Sequence, residues 1–332
     1  MRMRATIAAA AVALATTAGP ALAEMPKELN FGVISTESSQ NLKTIWEPFL
    51  KDMEQTVGVK VNAFFASDYA GVIEGMRFKK VDVAWYGNKS AMEAVDRAGG
   101  EIFAQTVDSS GNPGYWSLLV THKDSPINSL ADVLKCDKSL AFGQGDPNST
   151  SGFLVPSYYV FAKNNVDPKE CFKSVRSANH ETNLVAAANK QVDVATNNTE
   201  NLQRFEKTKP ELAQQIKVVW QSPLIPSDPI VWRKDLDQEA KAKVMQFFMS
   251  YGRLGDEVTA QRAVLKALQW APFKPSSNAQ LYPIRQLELF KGRAKLLADE
   301  HLDAAEKKQK VEAIDQQLAE LAKLMETAPN IN

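Results

Sequence analysis

Ser149, Thr150 and Ser151 stand in a row within Asp146-Pro147-Asn148-Ser149-Thr150-Ser151-Gly152, where a strand and loop give way to a helix. The first turn of a helix leaves backbone N–H groups without partners, and its dipole favours negative charge there. Three hydroxyls add side-chain donors to those backbone donors, a set that suits a tetrahedral oxyanion. Gly152 lets the backbone approach closely. The plainer reading is an ordinary N-cap, for which one Ser or Thr is enough; three in succession favour the anion. Other chemistries lack their residues. No Gly-Lys-Ser or Gly-Lys-Thr follows a glycine-rich loop, and there is no G-x-S-x-G elbow and no H-E-x-x-H pair. His122, His180 and His301 are too dispersed for a metal cluster. Glu181 adjoins His180, but neighbouring residues on one element point apart. The sequence therefore implies no cofactor, no metal and no enzyme, since no nucleophile stands in a recognisable setting.

The elements that must position this segment alternate between strand and helix, which is the pattern of an α/β fold. Leu29–Ile34 reads as a strand, Leu42–Val57 as an amphipathic helix with Ile45, Phe49, Met53 and Val57 on one face, and Val59–Phe64 as a strand. Tyr69–Phe78 is helical, Val81–Trp85 a strand, Ser90–Ala98 a helix and Gly114–Thr121 a strand. A second set follows: Leu130–Val133, the strand Leu140–Gly143, a helix from the hydroxyl triplet to Asn164, the strand Ser174–Ser177, a helix Glu181–Lys190 and the strand Val192–Ala195. Val81-Asp82-Val83-Ala84-Trp85 and Val192-Asp193-Val194-Ala195-Thr196 form a weak repeat that fits two similar domains. Asp235–Ala271 returns to helices that pack on the first. The chain thus crosses between domains twice, near Thr121–Lys123 and Ser222–Asp228, and two crossovers make a hinge. Beyond Tyr282 the composition is strongly helix-forming. Val311, Ile314, Leu318, Leu321 and Met325 make a heptad-like stripe. It would pack either on its own domain or on a second copy as a homodimer contact.

Composition narrows the partners. Hydrophobic residues make up 44% and charged residues 23% of 332, ordinary globular values. Arg2 and Arg4, an apolar run over Ala5–Ala18 and Ala21-Leu22-Ala23 describe a signal peptide over residues 1–23. Without Arg2 and Arg4, the 39 basic residues become 37 against 39 acidic ones, a net charge of −2. With no basic block, nucleic acid is not the partner, and an anionic ligand must be held by local dipoles. Cys136 and Cys171 are the only cysteines. In an oxidising compartment they read as one structural disulfide, with two free thiols as the rival.

Phe31–Ile34, Asp68–Val72, Val81–Gly87, Tyr115–Ser117, the Ser149–Gly152 turn and Ser227-Asp228-Pro229 together carry a resemblance that runs from Leu29 to Arg285. The chain resembles the phosphonate-binding proteins of ABC importers, of the type II periplasmic class, and within them those that prefer 2-aminoethylphosphonate. The resemblance implies a two-lobed Venus-flytrap fold with two hinge crossovers and a long C-terminal helix. Lobe 1 would span residues 24–121 plus 228–285, lobe 2 residues 122–227, and a helical extension residues 286–332. It implies that Ser149, Thr150 and Ser151 hold the phosphonate, joined by Tyr69 from the other lobe and by His180, with Tyr115 on the hinge side. Glu200 and Asp228 would face the ligand's ammonium through charge-assisted hydrogen bonds. The implied partners are a small-molecule phosphonate and the importer's permease and ATPase, in the periplasm. Each residue has a plainer role: Tyr69 and Tyr115 as packing aromatics, His180 and Glu200 at helix ends, Asp228 as a turn former. Phosphate or phosphite as ligand, ligand presentation to a sensor, and an enzyme on the same fold are the competing functions.

Overall fold

Thirteen strands alternate with helices in a computed structural model that describes residues 25–327; the expected signal peptide lies outside them. The strands are β1 (Glu28–Val33), β2 (Lys60–Phe65), β3 (Val83–Trp85), β4 (Gly100–Asp108), β5 (Gly114–Tyr115), β6 (Ser117–His122), β7 (Ala141–Gln144), β8 (Ser174–Ser177), β9 (Val194–Asn198), β10 (Ile216–Gln221), β11 (Ile225–Pro226), β12 (Pro229–Arg233) and β13 (Trp270–Pro275). They form a six-stranded sheet in the order β13-β4-β12-β3-β1-β2, a five-stranded sheet in the order β10-β6-β9-β7-β8, and a ribbon of β11 with β5. Each large sheet, with its helices, is one lobe of the mixed α/β fold.

Apolar periodicity explains the first lobe. The helix Ser39–Val57 is capped by Ser38, whose side chain accepts from Asn41 N, and ends at Gly58 in the left-handed region at φ 78°. Its buried face carries Trp46, Phe49 and Met53. Phe31 of β1 meets Trp46, Phe49 and Phe248, and Phe248 meets Phe273 of β13. The helix Gln238–Ser250 therefore closes over the first sheet, as its Phe and Met content predicts. The second lobe has a smaller core around Leu119, Phe142, Phe161, Phe172 and Val194.

Three expectations change. The strand that begins at Gly114 is broken, and Ser117–His122 pairs with β9 and β10 in the second sheet. The first crossover therefore lies at Gly114–Trp116, ahead of the expected Thr121–Lys123. There the two crossovers pair with each other, Ile225 opposite Tyr115 and Pro226 opposite Gly114. The approach is so close that a Cβ on Gly114 would fall 1.9 Å from the Ile225 carbonyl oxygen. Second, the segment expected to lack strands ends in one, β13. It carries two prolines but lies on a sheet edge, where proline is tolerated. Third, the C-terminal extension is two helices, Tyr282–Ala298 and Ala304–Thr327. Asp299 accepts from His301 N and Leu302 N, and Asp303 accepts from Ala305 N and Glu306 N, so two side-chain caps divide it. The second helix folds back on the first, with Arg293 bonded to Asp315 and Ile314 packed at Gly292. The heptad-like stripe is partly buried in this way within its own chain, Leu321 most of all.

Cys136 and Cys171 are joined in a disulfide at the edge of the second core. It closes a loop with a sequence separation of 35. Loop-closure entropy for such a loop corresponds to about 3–4 kcal/mol. The double substitution Cys136→Ser/Cys171→Ser is expected to lower the stability of this lobe by that order. Denaturant unfolding followed from the second lobe checks it, with ligand affinity little changed, since neither cysteine lines the cleft.

Candidate functional site

The hydroxyl triplet opens a helix, but not an α-helix. Leu154 N donates to Ser149 O at 3.1 Å, so residues Thr150–Leu154 wind as a π turn. Such turns are rare and concentrate at functional sites. The wider turn frees one more N–H at the helix start than an α-helix does. The Ser149 hydroxyl caps it by accepting from Gly152 N at 3.0 Å. Gly145 N donates to Gly152 O at 2.9 Å, and a Cβ on Gly145 would sit 2.5 Å from Gly152 Cα. The loop is therefore folded against the helix start, a contact that two glycines permit.

Each hydroxyl of the triplet also has a neighbour that holds it. Thr150 Oγ1 accepts from Lys89 N at 2.8 Å, across the cleft in the first turn of the helix Asn88–Arg97. Ser151 Oγ accepts from Asn198 Nδ2 at 3.0 Å, and Ser117 Oγ donates to Ser151 O at 2.6 Å. His180 Nε2 lies 3.4 Å from Ser149 Oγ and 3.5 Å from Ser151 Oγ. Burial, helped by the charge of Arg204, pushes the His180 imidazole down to about 4, so the ring is neutral. Its Nδ1 is buried without a partner among the described residues. Asn198 Nδ2 also lies 3.4 Å from His180 Nε2. Tyr69 comes from the first lobe, where Asp68 caps its helix, and Tyr69 N donates to Asp146 Oδ2 of the second lobe at 3.2 Å. Burial raises its phenol, with Asp146 and Asp228 adding to the effect, so it stays a donor.

The opposite wall is acidic. Tyr115 Oη donates to Asp228 Oδ1 at 2.9 Å, and Asp228 sits in the turn between β11 and β12, its carbonyl accepting from Thr106 N. Burial raises the Asp228 carboxyl well above the usual range, and the charge of Glu200 raises it further. Glu200 stands in the first turn of the helix Thr199–Thr208, whose N-cap is Asn198. It keeps some exposure to the cleft, yet burial pushes it up to about 7, with Asp108 adding and Arg204 opposing. Two carboxyl groups so placed favour losing a proton when a cation arrives.

Tyr69, Tyr115, Ser149, Thr150, Ser151, His180, Glu200 and Asp228 all line one cavity between the lobes. His122 and His301 do not line it. The cavity also takes in Ile34, Thr36, Trp85, Gly87, Asn198 and Asn201, which were not expected from the sequence. Asn198 had a readable signal, since Asn before Thr199-Glu200 is an N-cap pattern. Gly87 had one in closing the strand Val81–Trp85; a Cβ there would meet Thr150 Oγ1 at 3.2 Å. Thr36 Oγ1 and Trp85 Nε1 are buried without partners among the described residues, and no sequence pattern marks them. No cluster of His, Cys, Asp or Glu fit to hold a metal occurs among the described residues. The arrangement suits reversible capture of a small molecule with an anionic end and a cationic end.

Comparison with known proteins shows the family. Residues 31–281 match the family model described as the periplasmic substrate-binding protein of the phosphonate ABC transporter. The phosphonates-binding periplasmic protein of Escherichia coli K12 is 59% identical over 312 residues, covering 94% of this chain and 91% of that one. A phosphate-import protein of Mycolicibacterium smegmatis is 30% identical over 67% of this chain and 71% of its own length. The crystal structure of a binding-protein component of an ABC phosphonate transporter from Pseudomonas aeruginosa superposes with a TM-score of 0.88 at 61% identity, covering 91% of this chain and 99% of that one. These relatives are substrate-binding proteins of ABC transporters and not enzymes. The chain belongs to the family of periplasmic phosphonate-binding proteins that serve ABC transporters.

Proposed function

We propose that the cleft captures 2-aminoethylphosphonate and delivers it to the permease and ATPase of an ABC importer, after residues 1–23 have directed export. The first lobe then runs to the β5 ribbon and resumes after β11, with the second lobe between. One observation carries the choice of ligand: hydroxyl and amide donors at Ser149–Ser151 share a single cavity with the carboxyl pair Glu200 and Asp228. A phosphonate fits the first wall and an ammonium the second. A plain oxyanion leaves the acidic wall without a cation, at a cost of about 1–3 kcal/mol per unsatisfied group.

Calorimetric titration with 2-aminoethylphosphonate, ethylphosphonate and phosphate tests this reading. The amine compound is expected to bind at least about tenfold more tightly than ethylphosphonate. Equal binding of all three overturns the ammonium assignment.

The raised carboxyls favour a second reading, in which a protonated Asp228 or Glu200 donates to a plain anion such as phosphate; a relative named for phosphate import supports it. The pH dependence separates the two. Glu200 must ionise to pair with an ammonium, so affinity for the amine compound should fall as pH drops below about 7. The limiting slope is about tenfold per pH unit for one proton. Ethylphosphonate, measured alongside, removes the phosphonate's own titration. A phosphate receptor of the second kind shows the reverse trend. The same group has a stability consequence of opposite direction: its contribution to the closed form without ligand is complete below its ordinary 4.5 and is lost as pH rises through about 7.

A further inference from the structure

Three elements that line the cavity meet again just outside it. The loop after β1 places Ile34 and Thr36 in the cavity and then presents Glu37, Ser38 and Asn41 to the second lobe. Facing them are the starts of the helices His180–Ala188 and Thr199–Thr208, which contribute His180 and Glu200 to the cavity. Glu181 is the next residue on the first helix, and Arg204 lies one turn beyond Glu200 on the second. Arg204 Nη1 bonds Glu37 Oε1 at 2.5 Å, with side chains only 12% and 8% exposed. Glu181 accepts from Ser38 N at 3.0 Å and from Asn41 Nδ2 at 2.9 Å, and its own N–H donates to Thr36 O at 3.2 Å. Lys209, from its own lobe, pairs with the same carboxylate. Glu37, Glu181 and Arg204 border a separate small hollow. None of Glu37, Glu181, Arg204 or Lys209 lines the cavity of the proposed ligand site.

We propose that Glu37–Arg204 and the cluster on Glu181 form a latch between the lobes, made only when the cleft is closed, that sets how tightly and how long any ligand is held. The latch rests on the reading of the cleft as the ligand site. When the lobes part, Glu37 and Arg204 separate and return to water, and Glu181 keeps only Lys209. The apparent dissociation constant is the intrinsic one divided by the fraction of protein in the binding-competent state. A latch that raises the closed fraction strengthens binding of every ligand by the same factor, whatever groups the ligand carries. Ligand contacts such as Glu200 discriminate instead. Glu37, Glu181, Arg204 and Lys209 are thus positioning residues, acting through the lobes.

The test uses Glu37→Gln and Glu181→Gln separately in the full mature protein, because replacing Arg204 would also alter the field at Glu200. Binding of 2-aminoethylphosphonate and ethylphosphonate is measured by calorimetry and stopped flow, alongside melting of the free protein. Each variant is expected to lose affinity for both ligands by one common factor, on the order of tenfold, mainly through faster release. Free-protein melting stays unchanged in Glu37→Gln, since the open form lacks that pair, and falls only slightly in Glu181→Gln, which also loses the pair with Lys209 inside its own lobe. Affinity within about twofold of the unmodified protein in both variants overturns the proposal. So does a loss confined to the amine compound, or an equal loss of free-protein stability, which marks a fixed strut. If the unmodified protein binds neither compound, the functional reading of the cleft fails, and a ligand-linked latch falls with it.

Discussion

Replacing Ser149, Thr150 and Ser151 together by alanine is expected to weaken 2-aminoethylphosphonate binding by at least about a thousandfold. Each hydroxyl would donate to a charged oxygen, and such bonds contribute about 1.5–3 kcal/mol each. Calorimetry, or thermal shift in excess ligand, reads the loss; unchanged affinity removes the anion cradle from this segment. The cost to the fold is not zero, because the same hydroxyls serve the protein. Ser149 caps Gly152 N, Thr150 receives Lys89 N, and Ser151 receives Asn198 Nδ2. Loss of the cap alone costs about 1 kcal/mol, so a modest drop in melting temperature accompanies the loss of binding. Single substitutions separate the two effects. Thr150→Ala removes the one acceptor of the three that reaches across the cleft, so it should disturb closure most and the resting fold least.

The second large effect lies on the acidic wall. Asp228→Asn keeps the shape of the side chain and can still accept from Tyr115, but it cannot carry the charge that meets an ammonium. Affinity for the amine compound is expected to fall by about a hundredfold, in line with about 3 kcal/mol for a buried hydrogen bond to a charge. Ethylphosphonate should bind as well as before or better, because removing the acidic group removes its uncompensated desolvation. The ratio of the two affinities is therefore the diagnostic quantity. If both ligands weaken alike, Asp228 acts by holding Tyr115 and the β11–β12 turn. Glu200→Gln should move the ratio in the same direction by less, since Glu200 keeps some exposure and has Arg204 one turn away.

Much of this was legible in the sequence, and what was not has physical reasons. The strands flanking the triplet and the helix start at Ser149 follow from alternation, capping residues and glycine. The eight expected side chains do converge on one cavity. The π winding was not readable, because an α-turn and a π-turn draw on the same residues and differ by one residue in hydrogen-bond register. β4 was missed because it lies inside its sheet, where Gln105 and Thr106 are buried alongside Phe103 and Ala104 and blur the alternation. The break between β5 and β6 was hidden because Trp116 continues an apolar run whose two parts join different sheets. Arg204 and Glu37 carry no local pattern at all; they are distant in the chain and meet because the two lobes face each other.

The paired crossovers have a mechanical consequence. Two independent strands between lobes would allow bending, twisting and sliding in any mixture. Here the ladder of Tyr115 with Ile225 and Gly114 with Pro226 fuses them into one strap, with backbone packed on backbone at Gly114. Such a strap is expected to favour rotation about one axis, so that distances measured between the lobes change together. Fluorescent probe pairs placed at different points across the lobes would trace one reaction coordinate. A permease that senses the protein at any point along its rim would receive the same message.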